Sequence, residues 1–276
     1  MAAITTTALP PATGRSGLRG ALLSEWTKIR SVRSTYWTLL VLLAVSIGLG
    51  GAISAATASH WNQMSPGDQA TFDATQTSLA GLFFLGQLVI VVLGAMTFTS
   101  EYSTGMIRTS LWAMPRRPVV YAAKALVLAV VALVVTLVAS FITFFLGQAI
   151  LTSTHHQAAL SGPGVLRAVV GSALYVTLCG LFAFAVGALL RHTAGAITTV
   201  IGVLFVLPIL AHVLPTSWYH GLERWLPSQV GTAVSTTVPS SDSHYLFSAW
   251  GEMLVFGVYV AVLLIIAGSL FRTRDA

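Results

Sequence analysis

Six long stretches of the chain are continuously apolar and are separated by short polar segments. A helix rises about 1.5 Å per residue, so roughly 20 apolar residues cross the hydrocarbon core of a bilayer. The stretches lack the strict alternation of barrel strands, and a helix satisfies its own backbone groups in lipid. The pattern predicts an all-α, polytopic membrane protein whose transmembrane domain covers 34–276, with spans at about 35–56, 79–99, 120–151, 166–190, 194–214 and 247–271.

The segment before the first span has two parts. Residues 1–15 lack the apolar content of a packed structure and are predicted to form a disordered tail. Residues 16–33 repeat apolar residues at helical spacing, with Trp26 on the apolar face, Lys28 on the opposite face and Arg30 able to reach headgroups. This predicts an amphipathic helix at the membrane interface, which either anchors the topology or also contacts a cytoplasmic partner.

Charge is scarce and unevenly distributed. Hydrophobic residues make up 55% of the chain and charged residues 8%, whereas soluble domains contain roughly 25% charged residues. The formal net charge of +6 would suggest nucleic-acid binding in a soluble protein, but here the cations cluster between apolar stretches. With the N-terminus inside, twelve of the fourteen Lys and Arg residues are cytoplasmic. We therefore expect a multi-pass protein of the cell membrane, with both termini cytoplasmic and no nucleic-acid partner.

The segment 100–118 is the longest cytoplasmic loop between spans. It mixes apolar residues with cations, and Pro115 and Pro118 limit any helix within it. A short helix at about 104–113 would present Ile107, Leu111 and Trp112 together. The composition fits either a loop that lies on lipid or a helix that docks a soluble partner.

Polar groups within the spans are candidates for lining a transport path, namely Gln87, Gln148 and Glu252. The two glutamines could equally join helices by hydrogen bonds, and Glu252 could be a solvated end of a span. The external segment 215–246 holds either short re-entrant helices or aromatic residues that anchor at headgroup level. The single cysteine, Cys179, provides too few thiols for a disulfide or a metal site, and no metal or cofactor is expected in this chain.

Two short motifs, at 24–31 (SEWTKIRS) and 101–108 (EYSTGMIR), resemble the permeases of the type-2 (ABC-2) family of ABC transporters. The resemblance implies an interfacial helix followed by six spans, and a coupling helix in the loop after the second span. In that family a glutamate ends the second span and is followed by a glycine and a basic residue, which correspond to Glu101, Gly105 and Arg108 here. Export, a second permease and a separate ATPase subunit are further implications. The expected assembly is a homodimer, with a heterodimer with a related permease as the alternative.

The division of labour that this resemblance implies agrees with the residues. The chain contains no Gly-x-x-x-x-Gly-Lys-Ser/Thr phosphate loop, so we expect no enzyme activity of its own and expect ATP and Mg to bind the partner ATPase. Ile107, Arg108, Leu111 and Trp112 are predicted to contact that ATPase. Glu101 is predicted to pair with Arg108 or Arg116. The alternatives are an ATP-independent carrier and a membrane anchor or signalling subunit without transport.

Overall fold

The computed structural model of the protein describes residues 17–107, 112, 116–154, 156–215, 221–222, 225–238 and 247–273, and the predicted tail 1–15 lies outside them. These residues form helices and turns, without strands. An interfacial helix covers Leu18–Ser31. Six helices are long and apolar enough to cross a membrane, and we call them spans 1 to 6: Arg33–Gln63, Ala74–Ser103, Arg117–Thr154, Val165–Leu190, Thr193–Ala211 and Ala249–Thr273. The predicted all-α polytopic fold is confirmed.

The first three spans extend beyond the apolar stretches that predict them. Span 3, for example, begins at Arg117 with Pro118 in its first turn, where the missing N–H of proline costs no hydrogen bond. Its 38 residues correspond to about 57 Å of helix, which exceeds the hydrocarbon thickness. The polar ends of these spans therefore form walls at the membrane surface, where charged side chains can be held.

Span 4 is the centre of the bundle. In its most apolar window 72% of the residues are buried, against 22% for spans 5 and 6. It packs against spans 2, 3, 5 and 6. The short connection to span 5 has Arg191 in the left-handed region, and His192 begins the next helix by accepting a hydrogen bond from the Gly195 N–H through Nδ1 at 3.0 Å. Spans 4 and 5 are therefore joined by a tight helical hairpin.

Glycines allow the central helices to approach closely. A Cβ atom at Gly94 would lie 2.1 Å from the carbonyl oxygen of Gly180, so spans 2 and 4 touch through their backbones at this level. Gly50 and Gly81 make the equivalent contact between spans 1 and 2. Small residues at helix contacts are the usual means of packing in membranes, because no hydrophobic force drives helices together in lipid.

The alternation of spans creates two different ends of the bundle. At one end, which we call the interfacial end, lie the interfacial helix, the described residues of the 104–116 loop, the 191–192 connection and the end of span 6. The connections at 64–73 and 156–164 and the described residues between spans 5 and 6 lie at the other, which we call the far end. At the far end a short helix, Pro227–Ser235, is inserted into the bundle. Val230, Ala233 and Val234 of this helix, and Leu226 directly before it, are at most 6% exposed. We call it the outer helix.

Candidate functional site

Four charged side chains meet at the interfacial end and form what we call the ion-pair cluster. Glu25 and Lys28 come from the interfacial helix, Glu101 from the end of span 2 and Lys124 from the beginning of span 3. The Lys28 Nζ lies 2.8 Å from Oε1 of Glu25 and 2.8 Å from Oε1 of Glu101. The Lys124 Nζ lies 2.9 Å from Oε2 of Glu25 and 2.5 Å from Oε1 of Glu101. Each cation therefore bridges the same two carboxylates.

The interfacial helix contributes its charged face to the bundle. Glu25 and Lys28 are three residues apart and so lie on the same side of the helix. Its buried residues are Ala21 and Glu25, whereas Leu18 and Trp26 of the predicted apolar face are 50% and 43% exposed. Leu18 and Trp26 therefore point away from the other helices, as expected of a helix that rests on a membrane interface, while Leu22 and Ile29 are half-buried. The face that carries Lys28, predicted to lie opposite the apolar stripe, is the docking face.

Because the cluster is buried, its four charges must stay paired with one another. Lys124 is 2% exposed, and Glu25 and Glu101 are each 7% exposed, so three of the four charges are removed from water. Such groups are tolerated only when they are paired and hydrogen-bonded, and here two cations balance two anions. Burial alone would lower the pKa of Lys28, but its hydrogen bonds to the Glu101 and Glu25 carboxylates outweigh burial and raise that pKa above its ordinary value. Lys28 therefore stays charged at neutral pH.

The partners of Glu101 differ from the prediction. Among the described residues its hydrogen-bonding cations are Lys28 and Lys124, and not Arg116, while Arg108 lies outside those residues. The sequence patterns described above do not single out Glu25 or Lys124. The sequence nevertheless contains one indication for each of these two residues. Glu25 is the only acid in the basic segment before span 1, and Lys124 lies inside the apolar stretch of span 3, where a charge normally has a partner.

The loop that follows span 2 begins directly beside the cluster. The helix ends at Ser103, and Gly105 has a φ of +72°, a left-handed conformation that glycine adopts at little cost. Ile107 is 3% exposed and belongs to the chain's own apolar core, so it does not share an outward face with Trp112, which is 89% exposed. Arg108 and Leu111 lie outside the described residues, so their predicted contacts stay predictions.

A second polar region lies deeper in the bundle. Spans 2 and 5 each contain a π-helical turn, Leu82–Gly86 and Gly202–Val206, and these turns border a cavity of about 480 Å³. Gln87 lines the cavity and donates to the hydroxyl of Tyr175 at 3.3 Å. π-Helical turns cost regular hydrogen bonding and are frequent at functional sites. The structure therefore places Gln87, a predicted path-lining residue, at a cavity wall.

The other two predicted path-lining residues occupy structural positions at the far end. Gln148 donates from Nε2 to the carbonyl of Ala74 at 3.0 Å and accepts at Oε1 from the N–H of Ala158 at 2.7 Å, which joins span 3 to span 2 and to the following loop. Glu252 is 3% exposed and accepts from the N–H of Phe247 at 3.0 Å, at the beginning of span 6. Neither residue borders the cavity beside Gln87.

Comparison with known families gives one finding. A family model described as "ABC-2 family transporter protein" matches residues 21–209, about two thirds of the chain. The matched segment runs from the interfacial helix into span 5 and includes all four residues of the ion-pair cluster. No curated protein matches the chain.

Proposed function

Because this chain belongs to the ABC-2 transporter family, a family of multi-pass membrane transport components, we propose that it is the permease subunit of an ATP-driven exporter. A separate ATPase subunit binds ATP and Mg and supplies the energy. The interfacial end faces the cytoplasm, as the distribution of Lys and Arg favours. Two copies of the chain assemble in the cell membrane, and together they form the translocation path.

The observation that carries this proposal is the ion-pair cluster beside the 104–116 loop. An ATPase that moves this loop displaces the end of span 2 and the beginning of span 3, which the loop connects. Lys124 and Glu101 tie these two span ends to each other, and Glu25 and Lys28 tie both to the interfacial helix. Charged hydrogen bonds in a poorly solvated site resist separation. The three elements therefore move as one unit, and the motion reaches the core of the bundle instead of being absorbed in the loop.

The cavity between spans 2 and 5 supports a path through the same chain. It lies on span 2, the helix that carries Glu101 at its interfacial end, so a displacement of that helix changes the shape of the cavity. Its wall combines apolar rings with Gln87 and Tyr175, a mixture that suits an amphipathic or largely apolar cargo. The π-helical turns in both bordering helices provide places where each helix can rearrange without breaking.

Removing the indole of Trp112 tests the docking of the ATPase. This side chain is almost fully exposed in the loop, so its replacement by alanine leaves the packing of the chain unchanged. Exposed tryptophans at interfaces are common anchors of binding, and truncation of such an anchor costs about 2 kcal/mol or more. We expect Trp112→Ala to weaken binding of the ATPase by about 30-fold and to reduce ATP-dependent transport in proteoliposomes in parallel.

The matched control is Trp37→Ala, which removes another largely exposed tryptophan, at the beginning of span 1. It should leave ATPase binding unchanged. Equal binding of the ATPase to wild type and Trp112→Ala would contradict the docking assignment. Transport that continues at full rate without any ATPase would instead favour the ATP-independent carrier, and the absence of transport in a complete complex would favour an anchor or signalling subunit.

A further inference from the structure

Asp73 makes an unusually complete set of hydrogen bonds at the far end. It precedes the first turn of span 2 and caps it, with Oδ1 accepting from the N–H groups of Thr75 and Gln76, both at 3.0 Å. Its other oxygen, Oδ2, accepts from the N–H groups of Thr237 and Val238, the latter at 3.0 Å. The hydroxyl of Thr237 also donates to Oδ1 at 2.9 Å. The carboxylate is 7% exposed, so water competes little for these bonds.

A guanidinium holds the same segment from the opposite side. Arg167, in the first turn of span 4, donates from Nη2 to the carbonyl oxygen of Thr236 at 2.6 Å. Residues 236–238 are therefore fixed through their backbone by an anion on one helix and a cation on another. Charge-assisted bonds of this kind are roughly twice as strong as neutral ones.

The clamped segment directly follows the outer helix. Ser228 and Ser235 of that helix border the cavity that contains Gln87 and Tyr175. The helix is closely fitted, because a Cβ atom at Gly171 of span 4 would lie 1.9 Å from Val234, and a Cβ atom at Gly231 would lie 2.8 Å from the Tyr175 ring. The outer helix is thus a wall of the cavity towards the far end, and its C-terminal exit is the place where Asp73 and Arg167 act.

We propose that Asp73 and Arg167 are positioning residues that form an outer latch, which holds the outer helix over the cavity and must release residues 236–238 when the cavity opens to the far side. That the cavity belongs to a translocation path rests on the proposed function. The latch itself requires only that the outer helix separates the cavity from the far side. Its release breaks backbone hydrogen bonds and leaves the helices intact, because Asp73 keeps its capping bonds to Thr75 and Gln76.

Asp73→Asn separates the latch from the helix cap. Asparagine caps a helix about as well as aspartate, so the oxygen that faces Thr75 and Gln76 is retained. The amide nitrogen of asparagine then takes the place of Oδ2. Because an amide NH2 group is a donor, it cannot accept hydrogen bonds from the N–H groups of Thr237 and Val238. The probe is a cysteine at Ser235, a cavity-lining position that is 2% exposed. The vesicles contain no ATPase, and a membrane-impermeant maleimide is added from the far side. The background from the buried native Cys179 is measured on the chain without the Ser235→Cys change.

We expect the Ser235→Cys probe to react at least tenfold faster in the Asp73→Asn chain than in the wild-type background, a factor that corresponds to about 1.4 kcal/mol. Thr237→Pro, which deletes both donors of Thr237, its N–H and its hydroxyl, and leaves Asp73 in place, should give at least the same increase. The matched control is Asp68→Asn on the same connection. Asp68 lies outside the latch and bonds to Ser65 Oγ at 2.7 Å, so the control should leave the labelling rate unchanged.

Two results would overturn the latch. One is labelling of Asp73→Asn at the wild-type rate in protein that elutes as a folded monodisperse species. The other is an equal increase in the Asp68→Asn control, which would show a general loosening of the connection. Because these measurements contain no ATPase and no transported molecule, their outcome is independent of the Trp112→Ala experiment. A failed latch with intact ATPase docking would leave the proposed function standing.

Discussion

Replacement of Lys124 by methionine is the most direct perturbation of the ion-pair cluster. Methionine keeps the length and the apolar part of the side chain but removes its charge. The loss leaves Oε2 of Glu25 without its partner and leaves Lys28 as the one cation of the cluster that faces two carboxylates. Removing one member of a buried ion pair costs about 3–5 kcal/mol, because the remaining charge stays desolvated. We expect Lys124→Met to reach this range, since Lys124 is the most deeply buried of the four residues.

The measurement is the free energy of unfolding in detergent micelles, followed by the fluorescence of the seven tryptophans during denaturant titration. Arg30→Met is the control, because it removes a cation from the exposed side of the interfacial helix and should change stability by less than about 0.5 kcal/mol. The double variant Lys124→Met/Glu101→Gln restores the charge balance. It should be more stable than the sum of the two single changes predicts, with an interaction energy of about 1–3 kcal/mol.

The reasoning would be refuted by a Lys124→Met protein that unfolds within about 1 kcal/mol of the wild type. It would also fail if the double variant were simply additive, since additivity is the behaviour of sites that do not interact. The reasoning would also be contradicted by a large loss of stability in the Arg30→Met control. That result would mean that overall charge, and not the buried contacts, governs stability.

Two further predictions concern packing and pH. Gly94→Ala should destabilise the protein by about 1–3 kcal/mol, because the new methyl group meets the Gly180 carbonyl. Gly48→Ala is the control and should leave stability unchanged, because the space around Gly48 is open. Equal losses of stability in a denaturant titration of the two variants would contradict the close approach of spans 2 and 4. Because the folded-state pKa of Lys28 is raised, the stability from its ion pairs is fully present below the unfolded-state pKa of about 10.4 and is lost as pH rises through the higher folded-state value. The difference in the free energy of unfolding between wild type and Lys28→Met should therefore be constant from about pH 6 to about pH 9 and should become smaller above about pH 10.4. If this difference became smaller near neutral pH, the ion pairs of Lys28 would not be its source.

The candidate site was only partly predictable, and the reason is visible in individual residues. Glu101 was identified from a short motif, but its partners come from helices 73 residues earlier and 23 residues later in the chain. A cation in the neighbouring loop was the natural choice from the sequence, because local contacts are the ones that spacing reveals. Ile107 illustrates the same difficulty. Its neighbours suggested an outward-facing helix, while the fold buries it.

The sequence by itself determined the number of spans, their order and the interfacial helix. Lipid leaves little choice here, because a stretch of roughly 20 apolar residues must cross the bilayer as a helix whatever its neighbours are. Only the tertiary structure decided which polar side chains meet. Rotation of each helix about its own axis sets whether Lys124 faces Glu101 or lipid, and close backbone contacts such as Gly94 with Gly180 fix that rotation. The ion-pair cluster and the Asp73 latch therefore depend on how whole helices pack, which no single segment of the sequence encodes.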